Sequence, residues 1–373
     1  MSSPSFSGPS ATGPSTFSRR RGKRRATGAV AAMLAALATG LPMVDGGAQA
    51  HEPFTAAAAS AGSLQPLDVP EGLKNQWRKT DFSRATVDSD GFVFGVVPKD
   101  AIPAVSSPRF QPAANYDLSA NAPVISIHSD GVAKAYPLEI LIWHEIVNDS
   151  LDGRPVAVTY CPLCNAAAVF DRRHDDRVLE FGVSGHLRHS DLVMYDRQSQ
   201  TWWQQFTGDG IVGKYAGNVL ERLPNRLESF EDFKSRFPDG QVMVPPGNQR
   251  PYGSNPYVGY DSKNDPFLYR GQYEGKVAPM ARVVRVDDEA WLLDSIRRMG
   301  SIETGNGLRL TWQEGQASAL DRRVISESQD VGTVTVQREI DGNWQDVPYS
   351  VDFAFAFKAF YPDGEVHVPD REI

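Results

Sequence analysis

The sequence predicts an α+β fold that is mainly β: an irregular, strand-rich single domain with a few short helices. Three observations lead there. Short apolar and β-branched runs recur along the chain, each closed by Gly, Pro, Asp or Asn. Strand-like runs outnumber helical ones and do not alternate with them regularly, which argues against a doubly wound sheet. From about Asn75 to Ile373 the composition is uniform, with no internal repeat and no low-complexity segment.

The N-terminal part reads as an address. Arg19 to Arg21 and Lys23 to Arg25 form a basic region, Ala29 to Leu41 an apolar run too short to span a bilayer, and Ala48-Gln49-Ala50 a small-X-small cleavage site. Residues 1–50 are therefore expected to be a signal peptide. General secretion fits better than twin-arginine export, because Gly22 stands where a bulky apolar residue is expected. Residues 51–75, with Ala56 to Ala61 and no amphipathic period, read as a flexible linker, and 76–373 as the globular domain. No later run is long and apolar enough to span a membrane, so an extracytoplasmic protein, periplasmic or secreted, is expected without an integral segment after cleavage. Removing residues 1–50 takes away six basic residues and Asp45 and moves the formal net charge from −8 to −13. Such an acidic surface carries no footprint for nucleic acid.

Within the domain, Gly91 to Val97, Val124 to His128 and Ala133 to Tyr136 read as strands. Ser129-Asp130-Gly131 joins the last two as a tight turn, since Asp and Gly tolerate left-handed backbone. A helix begins at Pro137, with Leu138, Leu141, Ile142 and Ile146 at helical spacing, and Asn148-Asp149 with Gly153 end it. The apolar strand Arg154 to Tyr160 follows. Further strands are expected at Val178 to Gly182, Leu192 to Tyr195, Thr201 to Phe206 and Val242 to Val244, and a short helix at Phe230 to Phe237. Trp202 and Trp203 send one ring to each face of their strand, one into the core and the other towards a pocket. Phe353 to Phe357 reads as a buried strand, with a helix as the alternative.

The chemistry concentrates in Thr159-Tyr160-Cys161-Pro162-Leu163-Cys164-Asn165, which holds the only two cysteines of the chain. Three uses suit the pair. A structural disulfide closing so short a loop removes little chain entropy. A redox dithiol uses the spacing better: Cys161 attacks and Cys164 resolves the mixed disulfide, with His144-Glu145 on the preceding helix as the base that activates the thiol. Metal binding needs further ligands, and with no second Cys-X-X-Cys these would be His144, His186 and His189. Two thiolates with imidazole suit copper or zinc. Asp171-Arg172 and Asp196-Arg197 read as ion pairs that hold turns.

Several segments resemble a known family, domain-of-unknown-function family 3179. They are Tyr136-Pro137 through His144 to Asp149, Val158 to Asn165, Phe170-Asp171-Arg172, Phe181 to Gly185, Leu192 to Gln198, Trp202 to Gln205 with Gly208, Tyr257 to Asp261, and the aromatic tail Phe353 to Pro362. The resemblance implies that some relatives carry selenocysteine within the Cys-Pro-Leu-Cys segment, a substitution suited to a nucleophilic or redox centre and also able to bind soft ions. His186 and His189 are less typical of the family pattern than His144. The expected function is thiol-based redox chemistry, either thiol-disulfide exchange with a redox partner or reduction of a small-molecule oxidant. A copper- or zinc-binding protein is the alternative, and a non-catalytic module stapled by a disulfide the further one.

Overall fold

A computed structural model describes residues 63–247 and 250–370. The signal peptide expected at 1–50 and the first part of the linker, residues 51–62, lie outside the described residues. The fold is α+β and mainly β, as the turn-punctuated runs predict, but the strands are not irregular. They gather into five blade-like sheets of three to five strands, with one further two-stranded ribbon.

The three-stranded sheet is the one that carries the cysteines: Ile146–Leu151, Arg154–Cys161 and Ala166–Asp171, antiparallel throughout. Its continuous apolar sequence, with a run of alanines in the third strand, suits a sheet covered on both faces. All six residues of Ala166–Asp171 are buried. Beside it lies a five-stranded antiparallel meander of Phe92–Val93, Phe181–Arg188, Asp191–Asp196, Trp202–Gln204 and Gly210–Val212. A second five-stranded sheet contains the expected hairpin Pro123–Ser129 and Val132–Pro137, turning at Asp130-Gly131. The remaining two sheets are built on Arg282–Val286 with Ser350–Phe353, and on Leu308–Gln313 with Thr333–Ile340.

Three local expectations change. The helix from Pro137 stops at His144 rather than near Asn148: Glu145 takes a left-handed φ of 58°, and Ile146 to Leu151 then pairs as a strand. A one-sided apolar pattern shared by a helix turn and a strand cannot mark where one ends, and pairing with Arg154–Cys161 decides it. Phe353 ends a strand, and Ala354–Phe360 forms the helix that was the alternative reading. Gly91 to Val97 contributes only the two-residue strand Phe92–Val93.

The alternation of Trp202 and Trp203 holds, and both rings are fully buried. Trp203 joins the main core, while Trp202 packs with Trp77, Phe92 and Tyr195 in a second cluster. Leu67, Val69 and Leu73, within the segment read as linker, are buried in that second cluster. Asp196 accepts from Trp203 Nε1 at 3.0 Å, and Asp171 pairs with Arg154 and Arg173. Among the described residues, no helix is long and apolar enough to cross a membrane.

A bulge in Phe181–Arg188 sets the register of the meander. The pairing slips between Val183 and His186, and Gly185 sits there at φ 83°. Its carbonyl accepts from Val96 N–H at 2.9 Å, so two backbones meet closely. A Cβ at this position would lie 2.0 Å from the Val97 oxygen. Gly185→Ala is expected to destabilise the protein by more than about 1 kcal/mol, through both the left-handed φ and this clash. Urea denaturation, compared with the wild type, measures it.

Candidate metal centre

Cys161 is the last residue of its strand and pairs with Ala166, so Pro162 to Asn165 make a tight turn. Asn165 closes it with a left-handed φ of 53°, a conformation Asn tolerates, and donates its N–H to Pro162 oxygen at 3.2 Å. Four contacts then pin the turn from outside. Asn165 Nδ2 donates to Val351 oxygen at 2.7 Å, and Tyr160 Oη donates to Asn165 Oδ1 at 3.1 Å. Tyr260 Oη donates to Leu163 oxygen at 3.0 Å, and Phe353 N–H to Cys164 oxygen at 3.0 Å. Both thiols are free and buried.

The third member comes from the meander. His189 and Ser190, both with positive φ, turn the chain so that Asp191 opens the next strand beside the cysteines. Asp191 Oδ2 accepts from Gln204 Nε2 at 2.7 Å and from Phe206 N–H at 2.9 Å. Oδ1 is buried with no hydrogen-bond partner. One ligand atom from each of Cys161, Cys164 and Asp191 lies within 4.8 Å of the others. Among the described residues, this is the cluster of Cys, His and acidic side chains that can close on one ion.

Burial dominates the electrostatics, because a dry interior disfavours every ionised form. It pushes Asp191 up to about 7, against the opposing bonds from Gln204, Phe206 and the Cys161 thiol. It raises both thiols above the ordinary cysteine value. Cys164 rises furthest, because the neighbouring Cys161 adds to the effect. Glu145 is pushed up to about 8, first by burial and then by the charge of Asp191. Its backbone carbonyl accepts from Tyr160 N–H at 2.9 Å, which fixes the left-handed residue against the strand leading to Cys161.

The histidines are employed elsewhere. His144 shares a hydrogen bond with the Pro103 carbonyl at 2.7 Å and another with Tyr252 Oη at 2.8 Å, and its ring stacks on Tyr252. His186 accepts from Gly95 N–H through Nδ1 at 2.9 Å and is enclosed by Trp77, Phe94 and Trp202. His189 packs against Tyr269 and Phe360. Burial holds His186 and His189 at about 4, so both are neutral. None of the three joins the cluster of Cys161, Cys164 and Asp191. Asp191 itself carries no local sequence signal. A single aspartate between a turn and an apolar strand looks like any turn residue.

These facts correct the redox expectation. A thiol that attacks disulfides or oxidants needs a depressed pKa, supplied by a cation, a helix N-terminus or an imidazole. Cys161 has acidic neighbours instead, Asp191 and Glu145, and both raise its pKa. The thiols are not joined, so the stapled-module reading loses its disulfide as well. The pair with Asp191 forms a compact cluster able to coordinate a metal ion, rather than a catalytic thiol-disulfide couple. In metal-free protein, alkylation of both thiols by iodoacetamide is expected to be slow near neutral pH, with a rate midpoint above 9. Fast labelling of Cys161 at pH 7 would restore the redox reading.

Comparison with curated proteins found no match, and comparison with solved structures found none either. One family model matches, described as "Protein of unknown function (DUF3179)", over residues 99–364. That span is more than two thirds of the chain and includes both cysteines, Asp191 and Glu145. The chain therefore belongs to the DUF3179 family.

Proposed function

We propose that the protein binds one metal ion through Cys161, Cys164 and Asp191, and that it stores or delivers the ion without turning over a substrate. The observation that carries this reading is the buried cluster of two free thiols and the Asp191 carboxylate, whose ligand atoms lie within 4.8 Å of one another. The donor set favours zinc. Copper(I) is satisfied by soft thiolates alone, whereas zinc accepts sulfur and carboxylate oxygen together. Three protein ligands leave one position of a tetrahedral ion open. Gln204 and the Phe206 amide hold the carboxylate in orientation, and such supporting bonds tune affinity in metal sites. An extracytoplasmic location is proposed with it, supported by the basic, apolar and small-residue pattern of residues 1–50.

Protein purified without chelator is expected to carry close to one zinc per chain by elemental analysis. Cys161→Ser and Cys164→Ser should each abolish binding, and Asp191→Asn should weaken it at least about tenfold, the order seen when a site loses supporting contacts or ligands. Wild-type protein that holds no zinc or copper after reconstitution would overturn the proposal.

The pH dependence has a definite sign. The folded pKa of Asp191 is raised from 3.8 to about 7, and that of Glu145 from 4.5 to about 8. Both stabilise the fold most when protonated, while His186 and His189, held at about 4, act in the opposite sense below about 6.5, so metal-free protein should lose stability as pH rises from about 6.5 to 8. Zinc should reverse the trend, because deprotonated ligands bind it and binding releases protons. Urea titrations across this range, with zinc and with chelator, measure both slopes.

A further inference from the structure

A cavity of about 220 Å³ lies between the meander and the end of the helix Ala354–Phe360. Arg188, Gln204, Thr207, Asp209, Asn218 and Phe360 are among its walls. Two of these walls are charged, Arg188 and Asp209, and neither is in an ion pair among the described residues. Arg188 donates one long bond, 3.4 Å, to Gln204 Oε1, and its buried Nε has no partner. Arg285 and Arg282 meet carboxylates, Asp352 at 2.8 Å and Asp261 at 3.0 Å, and Arg222, which like Arg188 has an unpartnered Nε, still gives two bonds to backbone carbonyls at 3.1 and 3.2 Å. Asp209 has no ion pair among the described residues either, so the guanidinium and the carboxyl share one cavity without touching.

Opposite charges facing one half-buried cavity attract each other, and a ligand carrying both signs can satisfy the two at once. A guanidinium presents a planar fork that matches a carboxylate, and a carboxylate accepts from an ammonium. Phe360 adds an apolar surface, and its ring lies 5.6 Å from the Arg188 guanidinium. We propose that this cavity binds a small zwitterion of the α-amino acid type, its carboxylate on Arg188 and its ammonium on Asp209. Gln204 is shared, since its amide N–H holds Asp191 while its oxygen receives Arg188. A ligand that draws Arg188 away from Gln204 therefore acts one hydrogen bond from the metal centre. The proposal does not depend on a metal being bound.

Calorimetric titration of the full chain tests it, with glycine and L-serine as zwitterions and acetate and ethanolamine as singly charged probes. The titrations are repeated in the Cys161→Ser/Cys164→Ser protein, so that loss of the metal reading leaves this result standing. Saturable binding of glycine or serine is expected, at least about tenfold tighter than either singly charged probe, because each probe leaves one wall unpaired. Arg188→Gln and Asp209→Asn should each remove the preference while keeping the wild-type melting temperature within a few degrees. If either variant fails to fold, Phe360→Leu serves as the second test and should weaken both zwitterions about equally. Acetate binding as tightly as serine, zwitterion binding unchanged in a folded Arg188→Gln protein, or no heat from any probe would each overturn the proposal.

Discussion

The carboxylate of Asp191 is fully enclosed beside two enclosed thiols, and bonds from Gln204 and Phe206 hold it there. Isolated charge is costly in a protein interior, so such a group is either neutralised by a proton or paired with a cation. Without a cation, the proton wins: Asp191 rises to about 7 and Glu145 to about 8. With one, two thiolates and a carboxylate become a ligand set. The same desolvation that makes the cysteines poor nucleophiles couples any metal binding at the cluster to release of their protons.

Rigidity comes from three segments far apart in the chain. The Cys161–Asn165 turn is tied to Ser350–Phe353 through Val351 and Phe353, and to the later loop through Tyr260. Asp191 is tied to Gln204 and Phe206. Phe206 in turn lies under the guanidinium of Arg285, 4.5 Å from its ring, and Arg285 closes on the buried Asp352. A buried pair of that kind contributes little net stability, yet removing one partner costs about 3–5 kcal/mol. It fixes where the strands meet, and so where the ligand atoms lie.

Much of the fold was legible because its signals are local. The hairpin at Asp130-Gly131, the apolar strand into Cys161 and the short helix from Phe230 each follow from turn chemistry or a run of apolar residues. The failures were local too, but of another kind. The turn of helix from Leu138 to His144 ends where strand pairing claims Ile146, and helical and extended periods overlap over so few residues. Phe353 to Phe357 is apolar throughout and fits strand or helix equally, until packing divides it at Phe353.

The Cys161/Cys164 pair itself, its place at a strand end and its fitness for soft metals are properties of the sequence, because two ligands three positions apart reach one point in any tight turn. What completes the pair is tertiary. His144 is seventeen residues from Cys161 in the chain, yet its ring is spent on Pro103 and Tyr252. Asp191 lies on another sheet and is brought in by a turn at His189-Ser190. The choice between redox chemistry and metal capture rests on the sign of the charge around the thiols. Sheets that meet only in the folded chain set that sign, and no spacing rule along the sequence contains it.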